Sequence, residues 1–441
     1  MPQNLNDEQS RAAAPPAPSA LRDSPAAAAA TASSAGPSIQ KHRILWLLGP
    51  ALVAGVAYLD PGNVASNMTA GAKYGYLLVW VVIAGNVMAW LIQYLSAKLG
   101  IVTGKSLPQL LGSGIRNRHA RRAYWLQAEL VAMATDLAEI IGGAVALNLL
   151  FNLPLIWGGV ITGTVSMVML AVQTRRGPRV FERVIIGLLA IIAIGFSAGV
   201  FISPPEAGSV LAGMVPRFEG TDSVLLAASI LGATIMPHAI YAHSALARDR
   251  FEVRASGLTT KRLLTATRWD VSIAMLIAGS VNLCILLLAA ANLQGVEGTD
   301  SLEGAYAALE DSMGMVVATL FAVGLLASGL ASTSVGAYAG AEIMHGLLHI
   351  EVPLLARRLV TLIPALLILG SGFDPTQALV LSQVVLSFGI PFALVPLVWL
   401  TAKAGVLGEY RNRWMTTAAG VTASVLLIAL NVTLLVLLFG G

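Results

Sequence analysis

Apolar blocks of membrane-crossing length recur along this chain and are separated by short polar connections. An α-helix needs about 20 apolar residues to cross a bilayer, whereas the strands of a membrane barrel are about 10 residues long and alternate in polarity. The pattern therefore predicts an all-α polytopic membrane protein with eleven transmembrane helices. The blocks cover roughly residues 44–70, 76–98, 123–150, 154–172, 184–203, 223–246, 270–293, 314–344, 357–372, 377–401 and 415–439.

The distribution of Lys and Arg supports this division, because the cytoplasmic connections of membrane proteins are enriched in both residues. With a cytoplasmic N-terminus, all but two of the 27 Lys and Arg residues lie in the N-terminal segment or in predicted cytoplasmic connections. The two exceptions are Lys73 and Arg217. The alternation predicts a cytoplasmic N-terminus and an extracytoplasmic C-terminus.

Composition excludes a soluble globular protein, since only 11% of the residues are charged, against about 25% in soluble domains. The net charge of +4 is small and the basic residues lie in connections, so no nucleic-acid partner is expected. Cys284 lies in an apolar run and is interpreted as a packing residue. Residues 1–40 are rich in Ala, Pro and Ser and lack the apolar core of a secretory signal. They are predicted to form a disordered cytoplasmic tail, which leaves residues 41–441 as a single transmembrane domain.

The first and sixth blocks each contain a proline in mid-membrane, Pro61 and Pro237, beside polar side chains. Because proline has no N–H, the carbonyls four residues earlier, those of Ala57 and Ala233, lose their helical donor. In lipid, such groups are tolerated only where protein or a water-filled cavity satisfies them. The two breaks therefore predict a binding site at the bilayer midplane, although two unrelated proline kinks remain an alternative.

The spacing of the breaks suggests an internal repeat. They lie five spans apart, and because five is odd, two repeats of five spans have inverted topology. We expect a 5+5 inverted repeat with broken helices 1 and 6. The first repeat would cover about residues 44–203, the second about 223–401, and an extra helix 415–439.

The side chains at the breaks form a mixed donor set. Asp60 and Met236 directly precede the prolines and are pushed away from helical geometry, and Asn63 follows within one turn. Carboxylate, amide and carbonyl oxygens suit hard cations, whereas a thioether favours softer transition metals. Together with the Ala57 and Ala233 carbonyls, the set predicts a site for a divalent transition metal, although Met236 taken alone would be read as a gap filler.

Three acids line one face of the third span, namely Glu129, Asp136 and Glu139. They would repel one another in the membrane unless cations oppose them. Arg357 and Arg358, at the start of the ninth span, are the expected partners. Such a row can exchange protons and is interpreted as a proton pathway; the alternative is a static salt-bridge lattice that only holds helices together.

The two breaks resemble those of the natural-resistance-associated macrophage protein (Nramp) family, which includes bacterial MntH-type manganese transporters, over essentially the whole chain after residue 40. The resemblance rests on Asp60-Pro61-Gly62-Asn63, Met236-Pro237-His238 and His243-Ser244. It implies a leucine-transporter-like (LeuT-like) fold with ten core helices and an eleventh. It also implies proton-coupled uptake of Mn(II), with Fe(II) and Cd(II) as further substrates, and no cofactor.

The resemblance also assigns residues. The implied metal ligands are Asp60, Asn63, Met236, the carbonyls of Ala57 and Ala233, and, in the outward-closed arrangement, Gln383. The implied proton pathway comprises Asp60, Asp136, Glu139, Glu129, Arg357 and Arg358. His238 is added to it because it lies one turn beyond the second break, where it would line the outer vestibule and tune metal entry or proton supply. Many family members have Asn-Leu after Met236-Pro237-His238, where the present chain has Ala239-Ile240. A related magnesium-transporting branch lacks the methionine, so Met236 argues against that branch.

The remaining histidines and acids are less specific. His238 and His243 are five residues apart and point in different directions on a helix, so they cannot chelate one ion; an interhelical hydrogen bond is expected for His243. His345 and His349 are interpreted as interfacial. The connection from about 294 to 312 is acidic and either raises the local cation concentration or is an ordinary solvated loop.

Three other functions fit the sequence less well than metal transport. An amino-acid or organic-cation symporter is disfavoured by Asp60 beside Met236, and an intramembrane metalloenzyme by the lack of any His-Glu-x-x-His motif. A channel is disfavoured because a closed site with a soft ligand suits occlusion better than rapid exit. The expected protein is therefore a transporter of the bacterial cytoplasmic membrane, not an enzyme, with metal ions, protons and lipid as partners and no obligate protein partner.

Overall fold

A computed structural model describes residues 49–176, 178–251, 259–350 and 353–439. The predicted tail, residues 1–40, lies outside the described residues. Within the described part of the chain there are α-helices and short 3-10 turns but no strand.

Seventeen α-helices make up the described residues, with 3-10 turns at Val56–Leu59 and Gly408–Tyr410. The helices are α1 (Pro50–Gly55), α2 (Pro61–Tyr74), α3 (Val79–Thr103), α4 (Leu107–Gly114), α5 (Arg118–Phe151), α6 (Leu155–Arg176), α7 (Pro178–Ile202), α8 (Ala207–Ala212), α9 (Gly220–Thr234), α10 (Pro237–Arg250), α11 (Thr260–Asn292), α12 (Leu302–Met313), α13 (Met315–Leu348), α14 (Leu354–Ser371), α15 (Pro375–Ala402), α16 (Ala404–Leu407) and α17 (Trp414–Phe439).

Each predicted apolar block overlaps one of these helices or a broken pair. The first span consists of α1 and α2, and the sixth of α9 and α10. By length and apolar composition, eight segments of the described chain suffice to cross a membrane, and the shorter segments Pro50–Leu59 and Leu155–Met169 are also apolar. A polytopic helical protein is therefore present, while the count of eleven spans stays a prediction.

Both proline breaks are present in the structure. The first span leaves the α-helix at Gly55, passes through the 3-10 turn and becomes extended at Asp60, with φ −72° and ψ 163°. The sixth span ends its first half at Thr234 and is extended at Met236, with φ −70° and ψ 122°. In each case a new helix begins with the proline, as expected from the steric restriction on the preceding residue.

The broken spans lie in the centre of the bundle, and glycines allow their neighbours to approach. In the most apolar window of the sixth span, 94% of the residues are buried. A Cβ atom at Gly142 of α5 would lie 2.0 Å from the Pro61 side chain, and one at Gly232 of α9 would lie 2.0 Å from the Gln383 carbonyl oxygen. These positions cannot hold a larger side chain without moving the helices that surround the breaks.

Four short helices, α4, α8, α12 and α16, lie in connections for which the hydrophobic pattern predicts no helix. Helix α4 begins with a capping box in which Ser106 and Gln109 bond each other's backbone N–H. Helix α12 occupies much of the acidic connection 294–312, so the expectation of a loop there is wrong in part. Its N-terminus follows Asp300, which lies 3.8 Å from the Lys73 ammonium.

Candidate functional site

The unwound turn of the first span is held by side chains from two other spans. The Tyr58 carbonyl accepts hydrogen bonds from Asn63 Nδ2 at 2.6 Å and from Asn282 Nδ2 of α11 at 3.0 Å. The Leu59 carbonyl accepts one from the Ser328 hydroxyl of α13. The Ala57 carbonyl, which is predicted to lose its helical donor, belongs to the 3-10 turn just before them. The contacts of Asn282 and Ser328 with this turn were not predicted, although both are polar residues within apolar spans.

Asp60 is fully buried and is bound only by neutral groups in the described structure. Its Oδ1 accepts the backbone N–H of Asn63 at 2.8 Å, which caps helix α2. Its Oδ2 accepts Gln383 Nε2 of α15 at 3.0 Å. A Cβ atom at Gly62 would lie 1.8 Å from that amide nitrogen, so glycine makes the approach of Gln383 possible.

The second break comes into contact with the first through Asn63. The Asn63 amide nitrogen lies 3.4 Å from the Ala233 carbonyl oxygen, across 170 positions of sequence. Met236 is fully buried at the same break. The structure thus joins Asp60, Asn63, Gln383 and Ala233 by direct contacts.

These groups can bind a cation without a cluster of acids. Among the described residues, no group of three or more His, Cys, Asp or Glu side chains is arranged to hold a metal ion. A cation at the breaks would instead find one carboxylate, amide and backbone oxygens, and a thioether. A carboxylate buried among neutral donors is costly, so Asp60 is best stabilised by a proton or by a cation.

The acid row of α5 contacts both arginines of α14. Arg357 lies 2.9 Å from Glu129 and 3.1 Å from Asp136. Arg358 lies 2.9 Å from Asp136 and 3.1 Å from Glu139. Asp136 therefore bridges the two guanidinium groups, and all five side chains are buried.

The charges in this row do not balance, because three carboxylates face two guanidinium groups. Arg358 also donates to the hydroxyls of Ser166 and Thr333, each at 3.1 Å, so its hydrogen bonds extend to α6 and α13. Glu139 is at one end of the row, and its second oxygen is buried without a hydrogen-bond partner among the described residues. The row as a whole can therefore hold one extra proton.

The two histidines of the sixth span lie in separate environments. His238 Nδ1 is 3.1 Å from the hydroxyl of Thr135, which precedes Asp136 in α5. His243 Nδ1 donates to Gln93 Oε1 of α3 at 2.6 Å. The hydrogen bond of His243 is interhelical, as expected, and His238 links the broken span to the helix of the acid row.

A cavity lined by both charged and apolar side chains lies on the predicted outer side of the site. It measures about 280 Å³, and its lining includes Asp222, Asp300 and Asp374 together with Lys73. Between this cavity and Asp60, the hydroxyls of Ser66 and Ser229 are 2.6 Å apart, and Ser229 donates to the Val380 carbonyl. Hydrogen bonds thus join helices α2, α9 and α15 on the predicted outer side of Asp60.

The chain is similar to known proteins in both sequence and structure. A family model described as "Natural resistance-associated macrophage protein-like" matches residues 51–437. The divalent metal cation transporter MntH of Mycobacterium tuberculosis is 61% identical over 396 residues, which cover 90% of this chain and 92% of the relative. The manganese transporter of Eremococcus coleocola is 32% identical with a TM-score of 0.79, covering 90% of this chain and 87% of that one.

A more distant structure bears on the fold alone. MhsT, crystallised with L-phenylalanine, is 13% identical with a TM-score of 0.59, covering 89% of this chain and 98% of that one. The predicted all-helical, leucine-transporter-like fold is confirmed.

Proposed function

Because the chain belongs to the Nramp family, we propose that it imports divalent transition-metal ions, chiefly Mn(II) and also Fe(II) and Cd(II), together with protons by alternating access. It is a multi-pass membrane protein whose relatives are named as transporters. We place it in the bacterial cytoplasmic membrane with the N-terminus inside, since this topology puts nearly all Lys and Arg on the cytoplasmic side.

The observation that carries the proposal is the environment of Asp60. This carboxylate lies at two helix breaks, fully buried, with only an N–H group and an amide as described partners. A divalent cation would supply the missing positive charge, and a proton would neutralise the carboxylate in its absence. Metal and proton then compete for one group, which is the simplest basis for coupling.

The remaining ligands define the class of metal. Asn63 and the Ala57 and Ala233 carbonyls offer hard oxygens, and Gln383 adds another when its amide turns its oxygen toward the ion. Met236 adds a polarizable thioether, which Mg(II) and Ca(II) bind poorly. The names of the relatives, a divalent metal cation transporter and a manganese transporter, agree with this chemistry. No resident cofactor is part of the proposal.

The acid row is assigned the proton route. Its excess carboxylate lets it accept a proton released from Asp60, and its arginines hold the acids in one line along α5. His238 stands between the broken span and this row through its contact with Thr135. A rigid lattice would instead have no need of an unbalanced carboxylate.

The test is uptake of Mn(II) into proteoliposomes with the internal pH recorded at the same time. Asp60→Asn should abolish uptake, because no other carboxylate contacts the breaks in the described structure. Met236→Ala should retain Mn(II) uptake but allow Mg(II) or Ca(II) to compete. Met68→Ala, which removes another buried methionine of the first span, is the matched control and should not change selectivity.

A separate variant tests the proposed proton route. Asp136→Asn should reduce metal-driven acidification more than Mn(II) binding. Mn(II) uptake by Asp60→Asn at the wild-type rate would refute the metal site. Unchanged acidification in Asp136→Asn would support the static lattice instead.

A further inference from the structure

Asn67 lies one turn beyond Asn63 on α2 and is fully buried. Its Nδ2 donates to the Asn63 backbone carbonyl at 2.9 Å and to the Asn63 side-chain Oδ1 at 2.6 Å. Its own Oδ1 is buried and has no hydrogen-bond partner among the described residues. A buried amide oxygen without a donor is uncommon in folded proteins and calls for an explanation.

The contact couples the orientations of the two amides. At 2.6 Å, one amide must present its NH₂ group and the other its oxygen, because two like ends would repel. Asn67 presents NH₂, since the same group also bonds the Asn63 backbone carbonyl. Asn63 must then turn its oxygen toward Asn67 and its NH₂ group toward the carbonyls of Tyr58 and Ala233.

In this orientation Asn63 presents its NH₂ group, which cannot bind a cation, toward the helix breaks, and its oxygen faces away from them. For Asn63 to contribute its oxygen to a metal ion, its amide has to turn over, which directs its NH₂ group toward Asn67. Asn67 then has to offer an acceptor. The unpartnered Oδ1 of Asn67 is such an acceptor once the Asn67 amide also turns over, at the cost of its hydrogen bond to the Asn63 backbone carbonyl. Only a side chain with both a donor and an acceptor serves the two arrangements.

We propose that Asn67 is a positioning residue for metal binding: it reverses together with Asn63, giving a donor when the Asn63 amide faces the carbonyls and an acceptor when the Asn63 oxygen faces the metal. The inference rests on the proposed function, since it assumes that Asn63 is a metal ligand. It assigns no metal contact to Asn67 itself.

Asn67→Asp is the informative variant. A carboxylate accepts but does not donate, so it favours the arrangement in which Asn63 presents NH₂ to residue 67 and its oxygen to the metal. We expect Mn(II) to bind about tenfold more tightly, because a hydrogen bond to a charged group is worth more than about 1.4 kcal/mol, the equivalent of a tenfold change. In uptake assays KM should fall and kcat should fall with it, since release becomes slower.

A carboxylate also attracts a cation directly, and the Asn63→Ala background separates the two effects. If Asn67 acts through the Asn63 amide, N67D should change the Mn(II) or Cd(II) affinity less than about twofold when N63A is present. A gain of similar size in both backgrounds would mean that charge alone is responsible and would overturn the proposal. An unchanged or weaker affinity in N67D alone would overturn it as well.

A second measurement can refute the proposal with the wild-type protein alone, and a variant serves only as its control. In infrared difference spectra of protein labelled with ¹³C-asparagine, Cd(II) should shift two side-chain carbonyl bands, one for each amide that reverses. In Asn67→Leu only the Asn63 band should shift. A single shifted band in the wild-type protein would refute the paired reversal.

The Asp60→Asn variant keeps this inference separate from the proposed function. If wild-type protein binds no Mn(II), or if D60N binds it equally well, the proposed metal site is wrong. If both behave as expected while N67D acts equally in the two Asn63 backgrounds, only the role of Asn67 is refuted.

Discussion

Arg358→Met should destabilise the protein much more than Glu139→Gln, although both remove one charge from the same row. Arg358 is 1% exposed and donates to two carboxylates and two hydroxyls. Its loss leaves Glu139 without a cation in contact and Asp136 with Arg357 alone. Removing one partner of a buried ion pair costs about 3–5 kcal/mol.

Glu139→Gln has the opposite effect on the charge balance. It leaves two carboxylates facing two guanidinium groups, and the new amide oxygen can still accept from Arg358. We therefore expect a change within about 1 kcal/mol of wild type, as for substitutions that bury no unpaired charge. The predicted gap of about 2 kcal/mol or more corresponds to a factor above ten in the unfolding equilibrium.

Reversible unfolding in mixed detergent micelles, measured at about pH 5 and about pH 8, would test this comparison. Because ionised carboxylates are the groups left unpaired, the destabilisation in R358M should grow as the pH rises and shrink as protons neutralise them. The double variant R358M/E139Q should recover part of the loss. Equal stability of R358M and E139Q, or a loss in R358M that does not depend on pH, would contradict the reasoning.

Two further substitutions test how the helix breaks are held. Gly62→Ala would place its Cβ 1.8 Å from Gln383 Nε2 and force that amide away from Asp60. A hydrogen bond to a charged group is worth about 1.5–3 kcal/mol, so the KM for Mn(II) should change about tenfold. Gly187→Ala, whose Cβ meets no atom within 4 Å, should behave as wild type. Asp270→Ala would remove a carboxylate that accepts the backbone N–H groups of Gly49 and Ala51, at the start of α1, at 3.1 and 2.9 Å. Losing such a cap costs about 1 kcal/mol, so the rate of amide hydrogen exchange in α1 should rise about fivefold. The exchange rate in α17 should not change.

The two breaks could be predicted from the sequence because a proline acts on its own neighbours. Pro61 and Pro237 remove a backbone donor and restrict the preceding residue whatever the tertiary structure is. The arginine partners of the acid row could also be predicted, since uncompensated charge in a membrane is so costly that nearby opposite charges must meet.

The side chains that hold the unwound turn could not be predicted in the same way. Asn282 and Ser328 reach it across 224 and 269 positions of sequence, so their role depends on how distant helices pack. Helix α4 was not predicted, for a different reason. It is too short for a criterion based on about 20 apolar residues, although its Ser-x-x-Gln capping box at Ser106 is a local signal that marks a helix start.

The proposed coupling follows from an excess of negative charge at two places, each of which can hold a proton. Asp60 has one negative charge and only neutral partners, whereas the row on α5 has one carboxylate more than it has arginines. In the proposed mechanism, a divalent ion that binds Asp60 displaces its proton, and the row offers that proton a buried acceptor on the helix whose Thr135 contacts His238. If the row were balanced, as in Glu139→Gln, the displaced proton would have no such acceptor. Metal-driven acidification should then fall even though every metal ligand is intact.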